Sequence, residues 1–305
     1  MQRILSRRGF TMIELLVALV LLGLVSTALY RVLVNNQRLY MAQTQRIDLS
    51  QNIRAAASIL PAEFRELSAS EGDITTNPLS PTRLDIRGMR WLSFICTPPV
   101  LGGALVGGVL NNVFMVVRGG SVLGQPMYFG ARTILLSDSM LVYYDGNQTT
   151  RADDFWAVAR PTALQAQNCP DGRPGTRVTM NVNLAPVGVA GNVNGAITVG
   201  APVRGYERVI YQLYQPAGDT SWYIGMQPAA GVMQPLVGPV LANGFTMSYF
   251  DSTGVVTNNR VRIARIDITV RARTAAPVRS GGQAPLRAIV DSVTTSVALR
   301  NNRRF

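Results

Sequence analysis

The segment from Leu24 to Leu60 contains neither proline nor glycine, and it continues an apolar run that begins directly after Gly9. Leu15 to Tyr30 carries no charged residue, and Arg31 closes the run. Phe10–Ile13 and Val32–Val34 extend it to roughly the ~20 residues that cross a bilayer. Beyond it, Leu39, Ala42, Leu49, Ile53, Ala56, Leu60, Phe64 and Leu67 recur at the spacing of one helix face. Polar residues, among them Gln37, Gln43, Asp48, Gln51, Arg54 and Glu63, fill the other faces. The spacing predicts one helix over residues 10–67, on the order of 85 Å long at ~1.5 Å per residue. Its first part, 10–34, is apolar enough for a membrane, and its second part is amphipathic. Pro61 is expected to kink this helix or to mark a new start.

One carboxylate, Glu14, lies inside the apolar run. A charge in hydrocarbon costs at least ~2.5–3.5 kcal/mol, so Glu14 calls for a partner. Arg3, Arg7 and Arg8 precede the run and favour a cytoplasmic N-terminus, with the bulk of the chain on the other side. Three rival readings remain open. Ser26-Thr27-Ala28 offers a small-x-small site for a cleaved secretory signal. Ser6-Arg7-Arg8-Gly9-Phe10 resembles a twin-arginine export signal. A plain signal anchor is the third. None of these needs an acid in its apolar stretch.

The run Gly9-Phe10-Thr11-Met12-Ile13-Glu14-Leu15-Leu16 resembles the processing site of type IV prepilins and type II secretion pseudopilins. The resemblance implies a leader of residues 1–9, cut by prepilin peptidase between Gly9 and Phe10, and N-methylation of Phe10. It also implies that Glu14 pairs with the N-terminal amine of a neighbouring subunit and sets register in a fibre. The expected partners are other major and minor pilins or pseudopilins, an inner-membrane assembly platform, and membrane lipid before assembly. The expected location is the inner membrane, then a pilus or pseudopilus. A more diffuse likeness rests on Arg208–Tyr214, Leu241–Phe245, Tyr249-Phe250-Asp251 and Thr295–Asn302. These segments are similar to PilW-like minor pilins and J-type pseudopilins, which implies a low-abundance subunit that helps prime assembly.

Residues 68–305 form the predicted globular domain, rich in Gly, Pro, Asn and Thr. Candidate strands are Val113–Val117, Leu141–Tyr144, Phe155–Ala159, Val178–Leu184, Arg208–Tyr214, Trp222–Met226, Phe245–Phe250 and Val261–Val270. Asp145-Gly146-Asn147, Asp171-Gly172 and Asn243-Gly244 read as turns between them. Val261 and Ile263 are odd-numbered whereas Ile266, Ile268 and Val270 are even-numbered, so a bulge near Ala264-Arg265 or two short strands are expected. Leu101–Leu110 and Ala185–Pro202 read as surface loops or irregular hairpins. The fold class is therefore α+β: a long N-terminal helix, transmembrane then amphipathic, packed on a mainly antiparallel β domain.

The chain has no histidine, which removes the usual neutral-pH acid/base and the commonest metal ligand. No nucleophile–base pair is apparent, so neither an enzyme nor a cofactor is expected. Cys96 and Cys169 are the only cysteines, both beside prolines. A disulfide suits an extracytoplasmic compartment, and two free buried thiols are the alternative. Asp145, Asn147, Asp153 and Asp154 supply oxygen ligands at short spacing, but not at the spacing of a calcium-binding EF-hand loop. The formal net charge is +12, and 12 less the three leader arginines leaves +9. Every cationic side chain is arginine. Arg260, Arg262, Arg265, Arg271 and Arg273 cluster in sequence and suggest contact with a polyanion such as DNA, against a bland reading as a solvated basic face.

Overall fold

The computed structural model describes residues 11–101, 105–106, 109–119, 121–122, 125–126, 129–130, 133–146, 149–150, 154–183, 196–279 and 285–300. One helix, α1, spans Met12–Arg65. The strands follow in chain order: β1 Arg83–Leu101, β2 Leu105–Val106, β3 Val109–Arg118, β4 Ser121–Val122, β5 Gln125–Pro126, β6 Phe129–Gly130 and β7 Ser139–Tyr144. Then come β8 Phe155–Ala166, β9 Gly175–Asn183, β10 Pro202–Tyr214, β11 Trp222–Pro228, β12 Gln234–Phe250, β13 Arg265–Arg273 and β14 Val290–Ala298. Among the described residues every strand pairing is antiparallel. The molecule is thus an α+β protein of the pilin-like kind, one long helix on a β-sheet.

Thr11 caps α1 from an extended conformation, its Oγ1 accepting from the Glu14 backbone N–H at 3.4 Å. Thr11-x-x-Glu14 is the spacing of a capping box, and it places Glu14 in the first turn, where the helix dipole favours a negative charge. Pro61 does not restart the helix, which runs through it to Arg65. It removes one backbone donor, but it is buried beside Leu60 and Phe64, and their packing holds the helical path to Arg65. The helix ends two residues short of Leu67. The Ser68 N–H donates to Asp73 Oδ2 at 2.9 Å and the Asp73 N–H returns to the Ser68 carbonyl, which turns the backbone away. Leu67 still fills the core from this turn, so its helical spacing extended the apparent period past the true end.

The two longest-range pairings organise the sheet. β10 pairs with β1 along most of its length, from Pro202↔Phe94 to Gln212↔Arg83. Its other edge is divided: β7 takes Val203–Tyr206 and β11 takes Val209–Tyr214. On one side the sheet runs β10-β11-β12-β13-β14. On the other, β10-β7-β8-β9-β3-β1 returns to β10 and closes a six-stranded ring. Each side has its own core. Leu49, Ile53, Ala56, Leu60 and Phe64 of α1 pack on Val209, Tyr211, Phe245, Ile268 and Val297 of the open sheet. The ring is filled by Trp91, Ile95, Met115, Met140, Val178, Met180 and Val203. Gly205 is obligatory there, because a Cβ at that position would overlap the Trp91 indole. Trp91 Nε1 donates to buried Asp138 Oδ2 at 2.9 Å, so the ring closes on a satisfied indole.

Several expectations are corrected. Val261–Val270 is not one strand: Arg260–Arg262 forms a 3-10 turn and β13 starts at Arg265, in unbroken register with Phe250 through Tyr249↔Ile266 to Phe245↔Val270. The irregularity falls on the partner strand. Asn243-Gly244 is not a turn but lies inside β12, where register slips between Val240 and Phe245 and a Cβ on Gly244 would crowd the Arg271 carbonyl. Of Ala185–Pro202, Ala196, Ile197 and Ala201 are buried in the ring core rather than in a surface loop, and 185–195 lies outside the described residues. Within Leu101–Leu110, Leu105↔Leu110 and Val106↔Val109 pair, in keeping with the irregular hairpin expected there. β1, β14 and the two-residue strands β2, β4, β5 and β6 form where no strand is predicted.

Candidate functional site

The apolar half of α1 has no cover. No residue from Met12 to Asp48 is buried, and Leu15, Leu16, Leu19, Val20, Leu22, Leu24 and Leu29 each expose more than half of their surface. Met12 to Val34 rises ~34 Å at ~1.5 Å per residue, about the thickness of a bilayer core. The helix is long and apolar enough to cross a membrane. Among the described residues no hydrogen bond or ion pair reaches the Glu14 carboxylate, and only its backbone is engaged, by Thr11. The sequence expectation of an acid awaiting a partner is therefore placed on an exposed first turn. Gly9, Phe10, Arg3, Arg7 and Arg8 lie outside the described residues.

The other half of α1 is anchored by charge as well as by its apolar face. Arg90 of β1 bonds Glu63 in the last turn of α1 at 3.1 Å and Glu207 of β10 at 3.2 Å. Desolvation works to lower the Arg90 pKa, but its two carboxylate partners outweigh it and raise it, so the guanidinium stays charged in a half-buried place. Glu63 belongs to the polar face predicted from sequence, whereas its partner Arg90 was not singled out. Arg300 closes the end of the helix, its N–H donating to the Arg65 carbonyl and its guanidinium meeting Glu66 at 3.4 Å.

Two buried aspartates beyond the helix end behave oppositely. Asp73 is pushed up from the ordinary carboxylate value, chiefly by burial, which outweighs the Ser68 N–H and Arg204 at 3.6 Å. Burial also works to raise Asp85, but hydrogen bonds from Arg83 at 2.8 Å and Arg208 at 3.0 Å overcome it and hold the carboxyl low.

Cys96 and Cys169 form a disulfide, with Cα atoms 5.6 Å apart. It joins β1 to the segment between β8 and β9, on the outside of the ring, with Val116 packed against it. The five candidate polyanion contacts are spread along the chain. Arg260 and Arg262 stand on the 3-10 turn, Arg260 reaching the Thr75 carbonyl at 3.5 Å. Arg265 pairs with Asp267 at 3.1 Å and covers the Phe250 ring at 4.1 Å. Arg271 is exposed, and Arg273 lines a crevice with Asp48 between α1 and the sheet. Arg265 and Arg273 are ~26 Å apart along β13 at ~3.3 Å per residue, so the sequence cluster is not one compact patch. Asp145 and Asp154 end the β7–β8 hairpin, where Asp154 accepts from Tyr143 Oη at 2.7 Å. Asn147 and Asp153 lie outside the described residues. Among the described residues no three His, Cys, Asp or Glu side chains form a metal-ligand group.

Residues 4–30 match the prokaryotic N-terminal methylation motif. No curated protein and no solved structure compared with the chain matches it. The matched segment covers the basic stretch, Gly9, Phe10, Glu14 and the uncovered half of the helix through Tyr30. The match supports a precursor of the type IV pilin or pseudopilin type, a structural subunit anchored by its N-terminal helix.

Proposed function

We propose that the chain is a minor type IV pilin of the PilW-like kind. In this reading residues 1–9 are a leader, prepilin peptidase cuts between Gly9 and Phe10, and the new amine of Phe10 is methylated. The helix is held in inner-membrane lipid with residues 68–305 on the periplasmic side, then withdrawn into a fibre by the assembly platform. The observation that carries this reading is the division of α1. A membrane-length apolar half without intrachain cover continues, unbroken, into a half docked on the sheet.

In the fibre, uncovered apolar faces of neighbouring helices cover one another. The Glu14 carboxylate meets the methylated amine of the adjacent subunit, and in a medium of low dielectric that pair fixes register, because an unpaired carboxylate there costs several kcal/mol. A chain of 305 residues is large for a subunit repeated along a whole fibre, which favours a scarce subunit that starts assembly.

The test is the intact mass and first residue of the mature protein from native membranes. The expected species begins at N-methyl-Phe10. A start at Leu29 would instead mean a secreted domain released by signal peptidase. An uncut Met1 in a strain with active prepilin peptidase would overturn the processing assignment.

A further inference from the structure

We propose that the groove between the ends of β7 and β11 binds a phosphate-class oxyanion. β10 loses its β7 neighbour after Tyr206 and gains β11 at Val209, so Glu207 and Arg208 face a break in the ladder on that edge. A cavity of about 560 Å³, open to solvent, occupies the break. Arg87, Arg160 and Arg208 line it together with Tyr206, Ser139 and Gln227, and among the described residues no Asp or Glu lines it.

The topology puts these cations on one face. Arg87 of β1 lies directly opposite Arg208 of β10. Arg160 follows Ala159, which pairs with Met140, so it comes level with Ser139, and Ser139 lies opposite Tyr206. Two like charges directly opposite on a ladder repel, and a bound anion relieves that repulsion. The Arg87 guanidinium lies over the Tyr206 ring at 5.3 Å, which orients it. Arg208 spends one nitrogen on Asp85 at 3.0 Å, and its remaining donors are available. Arg160 is exposed and has no hydrogen bond or ion pair among the described residues. Around the groove Arg83, Arg87, Arg160, Arg204 and Arg208 stand against Glu71, Asp73 and Asp85, a surplus of positive charge. A guanidinium fork fits carboxylate and phosphate alike, but three forks find more acceptor oxygens on a phosphate than on a carboxylate, which has two, and the Ser139 hydroxyl and Gln227 amide add neutral donors.

The experiment uses the full chain in a non-ionic detergent, with calorimetric titration of inorganic phosphate and of tripolyphosphate. Wild type is expected to bind saturably, more weakly as salt rises. Arg160→Gln is expected to lose roughly tenfold in affinity, the worth of a charge-assisted hydrogen bond. Arg160→Lys should fall between the two, because it keeps the charge and loses the fork. Arg271→Gln removes an equal charge on β13 and should change nothing. Comparable binding of both probes would assign the site to the free ion, and tripolyphosphate binding alone would assign it to phosphate displayed on a chain. Equal weakening by Arg271→Gln and Arg160→Gln, or no binding of either probe, overturns the proposal. None of these readouts depends on processing or fibre assembly.

Discussion

Between Met12 and Asp48 no side chain of α1 is buried, whereas from Leu49 to Phe64 every third or fourth residue enters the core. The backbone is the same, so the difference lies in what the side chains meet. The docked half carries a stripe, apolar toward the sheet and polar elsewhere. Within the uncovered part, Leu15 to Tyr30 carries no charge on any face, which water does not tolerate and which a membrane or a bundle of like helices does. A single helix thus belongs to two solvents, and its two halves should answer to different perturbations.

The largest effect is expected at the uncovered half. Glu14→Ala should leave cleavage and domain stability as they are and reduce fibre incorporation by an order of magnitude or more, in line with an unmet charge in hydrocarbon. Counting the subunit in sheared fibres against membranes checks this, and wild-type incorporation would remove the register role of Glu14.

The disulfide comes next, because it stabilises the ring and touches neither half of α1. The bond spans 73 residues, worth about 4 kcal/mol in the chain-entropy account, so Cys96→Ala with Cys169→Ala should lower the denaturant midpoint accordingly. An unchanged midpoint would mean that the ring holds itself closed without the link.

At the docked half, Leu60 is fully buried, and Leu60→Ala should cost about 2–5 kcal/mol, mostly as a cavity between helix and sheet. Leu19→Ala, in the uncovered half, should leave the stability of the globular part untouched. Similar losses from both substitutions would erase the distinction between the halves.

The smallest effect concerns the two aspartates. Asp85→Asn should cost about 1–3 kcal/mol at neutral pH through the loss of charge-assisted bonds to Arg83 and Arg208. Asp85 is held low in the folded protein, so its contribution is complete above the unfolded value of about 3.9 and disappears as pH falls through the lower folded value. Asp73 is raised by burial and has the opposite sign: its charge opposes folding at neutral pH, and acidification toward the unfolded value relieves that opposition. Asp73→Asn should therefore cost less than Asp85→Asn near neutrality, as read from denaturation midpoints across the acid range. The reverse order would mean that the Ser68 turn, rather than charge, decides what Asp73 contributes.

Much of the helix was legible because its signals are local. The apolar run and the spacing Leu49, Ile53, Ala56, Leu60, Phe64 each act within a few turns of the helix. The strands rich in β-branched residues were legible for the same reason. β1 is not predicted from apolar runs because charges interrupt its start: Leu84 and Ile86 point to the core while Arg83, Asp85 and Arg87 alternate with them on the other face, and register then shifts between Met89 and Trp91. The groove was equally hidden, since Arg87, Arg160 and Arg208 are brought together by strand order and not by spacing.

By itself the sequence determined the helix, its division into two solvents, the acid placed near its start and a β-rich remainder, because hydrophobic periodicity is a property of neighbouring residues. Tertiary structure alone decided that β10 divides its edge between β7 and β11, that the ring closes through β1, that Cys96 meets Cys169, and that the slip in register falls at Gly244 and not at Ala264. Those outcomes depend on which distant strands pair. Pairing is chosen by the fit of whole faces, Trp91 over Gly205 among them, and a linear pattern of residues does not carry that fit.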